Sequence, residues 1–250
     1  MEIKSIYLSL KRCGIKKGDT VMLHGDAGIA AQLDPSIKNK LGIFFDQIIN
    51  YVGERGTILV PAFTYGSCKS KYFDHNKSPS ELGLFSENFR KKKFVKRTKN
   101  PIFSFSIYGK KFKYFNSADT STCFGKNSIF DLFHKVDGKI ICLGCDLDRI
   151  TFTHYVEEFF GVQYRYYKTF KILTKYKNSK KIISISYYVR KLKVPSKIDL
   201  QTLYSHLKKN KKIKEIDFGR YNFLSISSNN FFRACLFLLK KNKYSLIRKK

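Results

Sequence analysis

A single histidine in this chain stands where it could take a proton during catalysis. The stretch 138–168 reads GKIICLGCDLDRITFTHYVEEFFGVQYRYYK, an apolar strand, a turn, a hydroxyl-rich approach, then His154 with Glu157 three residues on. A neutral imidazole accepts a proton near neutral pH, and a carboxylate on one ring nitrogen fixes its tautomer and stabilises the imidazolium that forms. If 151–160 is helical, positions 154 and 157 share a face. Asp146 and Asp148 are rival partners, because the loop after the strand also brings them near. With a carboxylate beside it, His154 should titrate somewhat above ~6.5. The same pattern also describes a buried structural histidine followed by ordinary helix acids. Thr151 and Thr153 could donate hydrogen bonds or cap the helix.

No P-loop, dinucleotide fingerprint or metal motif is present. Cys142-Leu-Gly-Cys145 has a metal-like spacing, but no second Cys/His pair completes a four-ligand set, so free thiols are expected.

Elements to position these residues are legible from periodicity and turn residues. Apolar spacing predicts a helix over 3–13, and Gly18-Asp19 leads into a strand over 20–24. Asp34-Pro35 should open a helix with Ile37, Leu41, Phe44, Phe45, Ile48 and Ile49 as its stripe. A strand follows over 57–61. Segment 66–80, rich in Gly, Ser, Lys, Asn and Pro, reads as a long substrate loop. A short helix over 84–90 and strands over 103–108 and 139–143 come next. Beyond 168 the reading is strands over 170–173, 181–188 and 219–226, with helices over 200–207 and 229–239. Strands alternating with helices argue for an α/β layer structure.

At 250 residues and 43% hydrophobic content the chain can bury a core as one domain, 1–250, with 169–250 as a basic lobe of it. No apolar run approaches the ~20 residues that span a bilayer, and 1–4 lack the apolar segment of a secretory signal, so no membrane and a cytoplasmic location are expected. The net charge of +30 is uneven. From 168 onward stand 23 of the 49 basic residues but only 3 of the 19 acids. With 39 lysines and 6 alanines, much of this excess is what an AT-rich genome encodes. Whatever its origin, a basic face concentrates anionic ligands. A nucleic-acid-binding module is the rival from another class, suggested by basic residues interleaved with Tyr and Phe, but no known binding motif supports it, and no nucleic-acid partner is expected.

Several segments in order resemble the aminoglycoside 3-N-acetyltransferase family, acyl-CoA-dependent enzymes unrelated in structure to the GNAT acetyltransferases. They are Gly18-Asp19-Thr20-Val21-Met22-Leu23-His24, then Gly56-Thr57-Ile58-Leu59-Val60-Pro61-Ala62-Phe63-Thr64, then Ser78-Pro79-Ser80 with Gly83-Leu84-Phe85, then Asn100-Pro101-Ile102-Phe103-Ser104, Phe124-Gly125-Lys126-Asn127-Ser128 and Asp137-Gly138-Lys139-Ile140. The 151–158 block and Tyr164-Arg165-Tyr166-Tyr167-Lys168 complete the series, so the resemblance covers about 1–170. It implies a three-layer α/β fold with a mixed sheet flanked by helices. It implies acetyl-CoA as cosubstrate, no metal, His154 as base with Glu157 orienting it and Thr151 beside them, and an acyl-CoA site at His24, Gly25, Asp26, Thr64, Ser104 and Ser128.

Two departures bear on the acceptor. Asn100-Pro101-Ile102-Phe103-Ser104 replaces the family's His-Pro-Thr-His-Ser, and Gly25-Asp26 replaces hydroxyls. A basic protein repels a polycation, and the resemblance extends to family branches that modify nucleotide-linked amino sugars of surface polysaccharide pathways. Together they imply an anionic, nucleotide-linked amino sugar for lipopolysaccharide or capsule as acceptor, with aminoglycoside acetylation as the alternative. A homodimer is compatible with this reading.

Overall fold

The computed structural model describes residues 1–248. In chain order the elements are α1 (Lys4–Arg12), β1 (Thr20–Gly25), a 3-10 turn (Ala27–Gln32), α2 (Lys40–Val52), β2 (Thr57–Pro61), α3 (Ser67–Ser70), β3 (Tyr72–Asp74), α4 (Leu84–Arg90), β4 (Lys96–Arg97) and β5 (Phe105–Gly109). They continue with α5 (Phe112–Asn116), α6 (Ile129–Lys135), β6 (Lys139–Leu143), a second 3-10 turn (Leu147–Arg149), α7 (Phe152–Phe160), β7 (Arg165–Tyr176), β8 (Ser179–Arg190), α8 (Gln201–Lys209), β9 (Lys214–Phe218), β10 (Tyr221–Ser227) and α9 (Ser228–Lys241).

Seven strands form the main sheet in the order β4-β5-β2-β1-β6-β10-β9. β1 runs parallel to β2 and β6, with Val21 opposite Ile58 and His24 opposite Cys142, and the other pairings are antiparallel. Successive side chains alternate across the sheet, so each central strand feeds two cores. Val21, Leu23, Ile58, Val60, Ile141 and Leu143 pack with Leu10 of α1, Phe44 and Phe45 of α2 and Phe85 and Phe89 of α4. Met22, Leu59, Ile140 and Cys142 face the opposite core, built from Phe130 and Phe133 of α6, Phe152 and Val156 of α7, Leu203 of α8 and Phe231 of α9. Helices thus cover both faces of a mixed sheet, and the stretch after 168 belongs to it through β9 and β10.

A second sheet, β3-β7-β8, was absent from the sequence reading. The two short strands expected at 170–173 and 181–188 are parts of one hairpin paired from Arg165↔Arg190 to Tyr176↔Ser179. Its third strand, β3, comes from the segment expected to be an open loop, and Asp74 folds the rest of that segment by accepting the amide N–H groups of Asn76 and Lys77, both at 3.0 Å. The helix expected from Asp34 begins instead at Lys40. Asp34 closes a local turn with the Ser36 amide and hydroxyl at 2.9 and 2.6 Å, and Asn39 takes a left-handed φ of 50°, which no continuing helix allows. β5 starts at Phe105 because the Asn100 side-chain oxygen accepts the amides of Ile102 and Phe103, at 3.0 and 2.8 Å. Among the described residues, no helix is long and apolar enough to cross a membrane.

Candidate active site

Parallel strands place their carboxyl ends on one edge of the sheet, where an α/β fold opens a crevice. Here the ends of β1, β2 and β6 frame a cleft of about 530 Å³. Its walls are 23–26, Pro61 with Tyr65, Leu82 and Ser86, and 144–151 without Leu147; His154 looks in from α7.

α7 sits there because Phe152, Tyr155 and Val156 bury its inner face. It ends at Gly161, whose φ of 75° lets the amide turn back onto the carbonyls of Glu157 and Glu158, a left-handed stop suited to glycine. On the same helix, His154 Nδ1 lies 2.7 Å from Glu157 Oε2, and the Glu157 side chain is fully buried. Asp146 and Asp148 do not take this place. Asp148 accepts the Leu200 amide at 2.7 Å, and Asp146 stands on the cleft wall.

The turn after Gly161 returns the chain to lay Arg165 against this pair. Its Nε is 2.6 Å from Glu157 Oε2, its Nη2 is 3.0 Å from His154 Nδ1, and its Nη1 donates to the Tyr188 carbonyl at 3.3 Å. His154 is consequently held below the ordinary histidine value, by burial first and the Arg165 charge second, against the opposing pull of Glu157. This reverses the upward shift expected from a carboxylate neighbour alone. Phe124 packs its ring 5.4 Å from the imidazole. Glu158, the next acid on α7, packs against Gly125, and burial pushes its carboxyl up to about 7.

The two threonines divide their work. Thr153 is buried and donates its hydroxyl to the Ile150 carbonyl at 2.7 Å, while Thr151 lies on the cleft wall and makes no side-chain capping bond. His24, Gly25 and Asp26 line the opposite wall. His24 is 6% exposed and its Nε2 finds no partner among the described residues; burial lowers its pKa to about 4, so the ring is neutral. At Gly25 a Cβ would lie 2.6 Å from the Phe85 ring, so the wall there admits only glycine without rearrangement. Asp26 caps the following turn through the Gly28 amide at 2.7 Å.

Thr64, Ser104 and Ser128 are placed elsewhere, none of them on the cleft wall. Thr64 and Ser104 accept hydrogen bonds from the buried Arg97 at 2.8 and 2.9 Å, and Ser104 donates to the Ala62 carbonyl. Ser128 caps α6 through the Asp131 amide. Their hydroxyls are engaged in structure, which short matched segments do not reveal. Sequence reasoning also gave no role to Arg165, Arg149, Tyr65 or Phe124. Arg165 and Phe124 carried a signal, each as part of a matched segment. Among the described residues no group of three or more His, Cys, Asp or Glu is arranged to hold a metal ion.

Residues 37–239 match the family described as aminoglycoside 3-N-acetyltransferase. A curated relative, the SPbeta prophage-derived aminoglycoside N(3')-acetyltransferase-like protein YokD of Bacillus subtilis (strain 168), is 25% identical over 177 residues, 62% of this chain and 64% of the relative. The chain therefore spans a little under two thirds of that relative's length. Among solved structures, AAC-IIIb in binary complex with CoASH superposes with a TM-score of 0.81 at 17% identity, covering 96% of this chain and 97% of the other. AAC-VIa bound to sisomicin superposes at 0.82 and 17% identity, covering 96% and 98%. At these identities the structures establish a shared fold. With more than three quarters of its length inside the family's pattern, this chain belongs to the aminoglycoside 3-N-acetyltransferase family.

Proposed function

We propose that the chain is an acetyl-CoA-dependent N-acetyltransferase whose acceptor is a polycationic amino sugar of the aminoglycoside kind. One observation carries the choice of acceptor: in a chain of net charge +30, the cleft beside His154 is acidic. Asp26, Asp146 and Asp148 face it against one cation, Arg149. The three acids that follow residue 168 line adjoining hollows, Asp199 and Glu215 in one shared with Asp146 and Asp148, where Glu215 is paired with Lys208 at 3.1 Å, and Asp217 in one shared with Asp146 and Arg220. Local carboxylates decide which ligand is held, because the surrounding lysines are exposed and screened by salt within ~8 Å. An anionic nucleotide sugar, the acceptor inferred from total charge, would have to share this acidic cleft with acetyl-CoA, itself an anion, with Arg149 as the one cation among the lining residues. The relatives' names, which speak of aminoglycosides, support the same choice.

Acetyl-CoA supplies the activated acetyl group. Arg149 and Ser86 are the groups on the wall suited to hold it. In the transfer, His154 Nε2 takes the proton from the acceptor amine as its nitrogen bonds to the thioester carbonyl carbon. Thr151 and Tyr65 are the hydroxyl donors on the wall for the oxyanion. The carbon–sulfur bond then breaks, and the proton passes from His154 to the departing thiolate. The cytoplasm, where acetyl-CoA is made, is the compartment this chemistry requires.

The test is thiol release from acetyl-CoA with a panel of acceptors, products being identified by mass spectrometry. Sisomicin-like and gentamicin-like compounds should be acetylated, and Asp146→Asn should raise their KM ~10-fold, the scale of one hydrogen bond to a charged group. Turnover of nucleotide-linked amino sugars without turnover of any aminoglycoside would overturn the assignment.

A further inference from the structure

We infer that Arg165 is a positioning residue that keeps His154 unprotonated, while Glu157 fixes which ring nitrogen faces the acceptor. The inference deepens the proposed acetyl transfer and rests on that reading for its catalytic meaning, though not for its geometry.

Both neighbours of His154 approach the same ring nitrogen. Nδ1 lies 2.7 Å from Glu157 Oε2 and 3.0 Å from Arg165 Nη2. Nδ1 cannot donate to the first and accept from the second at once. If it carried a lone pair, that lone pair would point at a carboxylate oxygen, so the proton belongs on Nδ1 and Glu157 accepts it. The Nε2 lone pair is then the free one. Arg165 Nη2 is left beside the ring as a charge rather than a hydrogen-bond donor.

The charge balance follows from the contacts. Arg165 is 6% exposed and also contacts Glu157, 2.6 Å from Nε to Oε2, so the carboxylate is neutralised by the guanidinium before His154 takes any proton. Protonating the imidazole would place a second positive charge 3.0 Å from the first, in a site where Glu157 is 0% exposed. Like charges at that separation disfavour the cation. The guanidinium is held in place by the Tyr188 carbonyl of β8. Other titratable groups around His154 are Glu158 on α7, Asp146, Asp148 and Arg149 across the cleft, His24 and Asp26 at the end of β1, Tyr65 after β2, and Tyr187 on β8. None is recorded within hydrogen-bond or ion-pair distance of the ring.

The experiment is a 15N NMR titration of His154 in the full chain, compared among wild type, Arg165→Met, Arg165→Lys and the double variant Arg165→Met with Glu157→Gln. Wild type should show the Nδ1–H tautomer. Arg165→Met should raise the imidazolium-to-imidazole ratio at fixed pH ~10-fold or more, the scale of removing one adjacent like charge. Arg165→Lys should stay near wild type, and the double variant should return toward it. An unmoved midpoint in folded Arg165→Met, or a wild-type Nδ1 without its proton, overturns the inference; the second readout stands even if Arg165→Met does not fold. Because the titration needs no turnover, its failure is separable from failure of the proposed reaction. Where turnover is measurable, the acid limb of kcat/KM should move with the NMR midpoint.

Discussion

Glu157 meets two partners through one oxygen, and that sharing decides how His154 behaves. A carboxylate beside a histidine ordinarily favours the imidazolium, but with Arg165 in the same contact the site gains little from protonation and loses solvation. The sign for the rate follows. A base whose pKa lies below the ordinary ~6.5 remains unprotonated to lower pH, so kcat/KM should fall only as pH drops through a midpoint under that value. His154→Asn should lower kcat by ~10²- to 10⁴-fold, the usual worth of a positioned base, and abolish that acid limb while leaving the melting temperature within a few degrees. Steady-state thiol release across pH 5 to 9 with melts alongside checks both. Near-normal turnover in His154→Asn would remove the base from the mechanism.

At the scale of elements, the His154–Glu157 contact was legible because both residues lie on one helix at i and i+3, a spacing sequence fixes locally. Arg165 was not, because its place depends on how the turn at Gly161 aims β7 back onto α7. The central strands at 20, 57 and 139 could be read from their apolar runs, whereas β3 and β9 could not. β3 is three residues in a polar segment, and β9 begins Lys-Glu, so pairing rather than composition makes them strands. Ser128, from a matched segment, has a structural partner: its hydroxyl accepts the Asp131 amide at 3.3 Å and begins α6, whose Asp131 in turn accepts from Tyr155 of α7 at 3.0 Å. Ser128→Ala should therefore destabilise the fold by ~1 kcal/mol, the value of a lost helix cap, with KM for acetyl-CoA unchanged. Denaturant melts and initial rates measure the two effects separately. A large rise in that KM at unaltered stability would instead make Ser128 a ligand to the cosubstrate.

For the whole molecule, total charge and local charge point in opposite directions. The excess of 30 positive charges is spread over a surface dominated by exposed lysines, while the few acids of the C-terminal stretch, Asp199, Glu215 and Asp217, line hollows adjoining the cleft. A polycationic acceptor approaching from afar therefore meets repulsion and, on arrival, attraction. Distance separates the two in salt. Raising ionic strength from 0.01 M to 0.15 M shortens the screening length from ~30 Å to ~8 Å, which weakens the long-range repulsion more than contacts made inside the cleft. For an aminoglycoside, kcat/KM should consequently rise over this range with acetyl-CoA held saturating. The rise should persist in Asp146→Asn, whose rates should be lower at every salt concentration because the contact it loses is local. For an anionic acceptor the long-range field assists encounter and the slope should be negative. A salt series on any acceptor that turns over, run in wild type and Asp146→Asn, distinguishes the cases: a fall in kcat/KM with salt, together with indifference to Asp146, would mean that the basic surface rather than the acidic cleft selects the substrate.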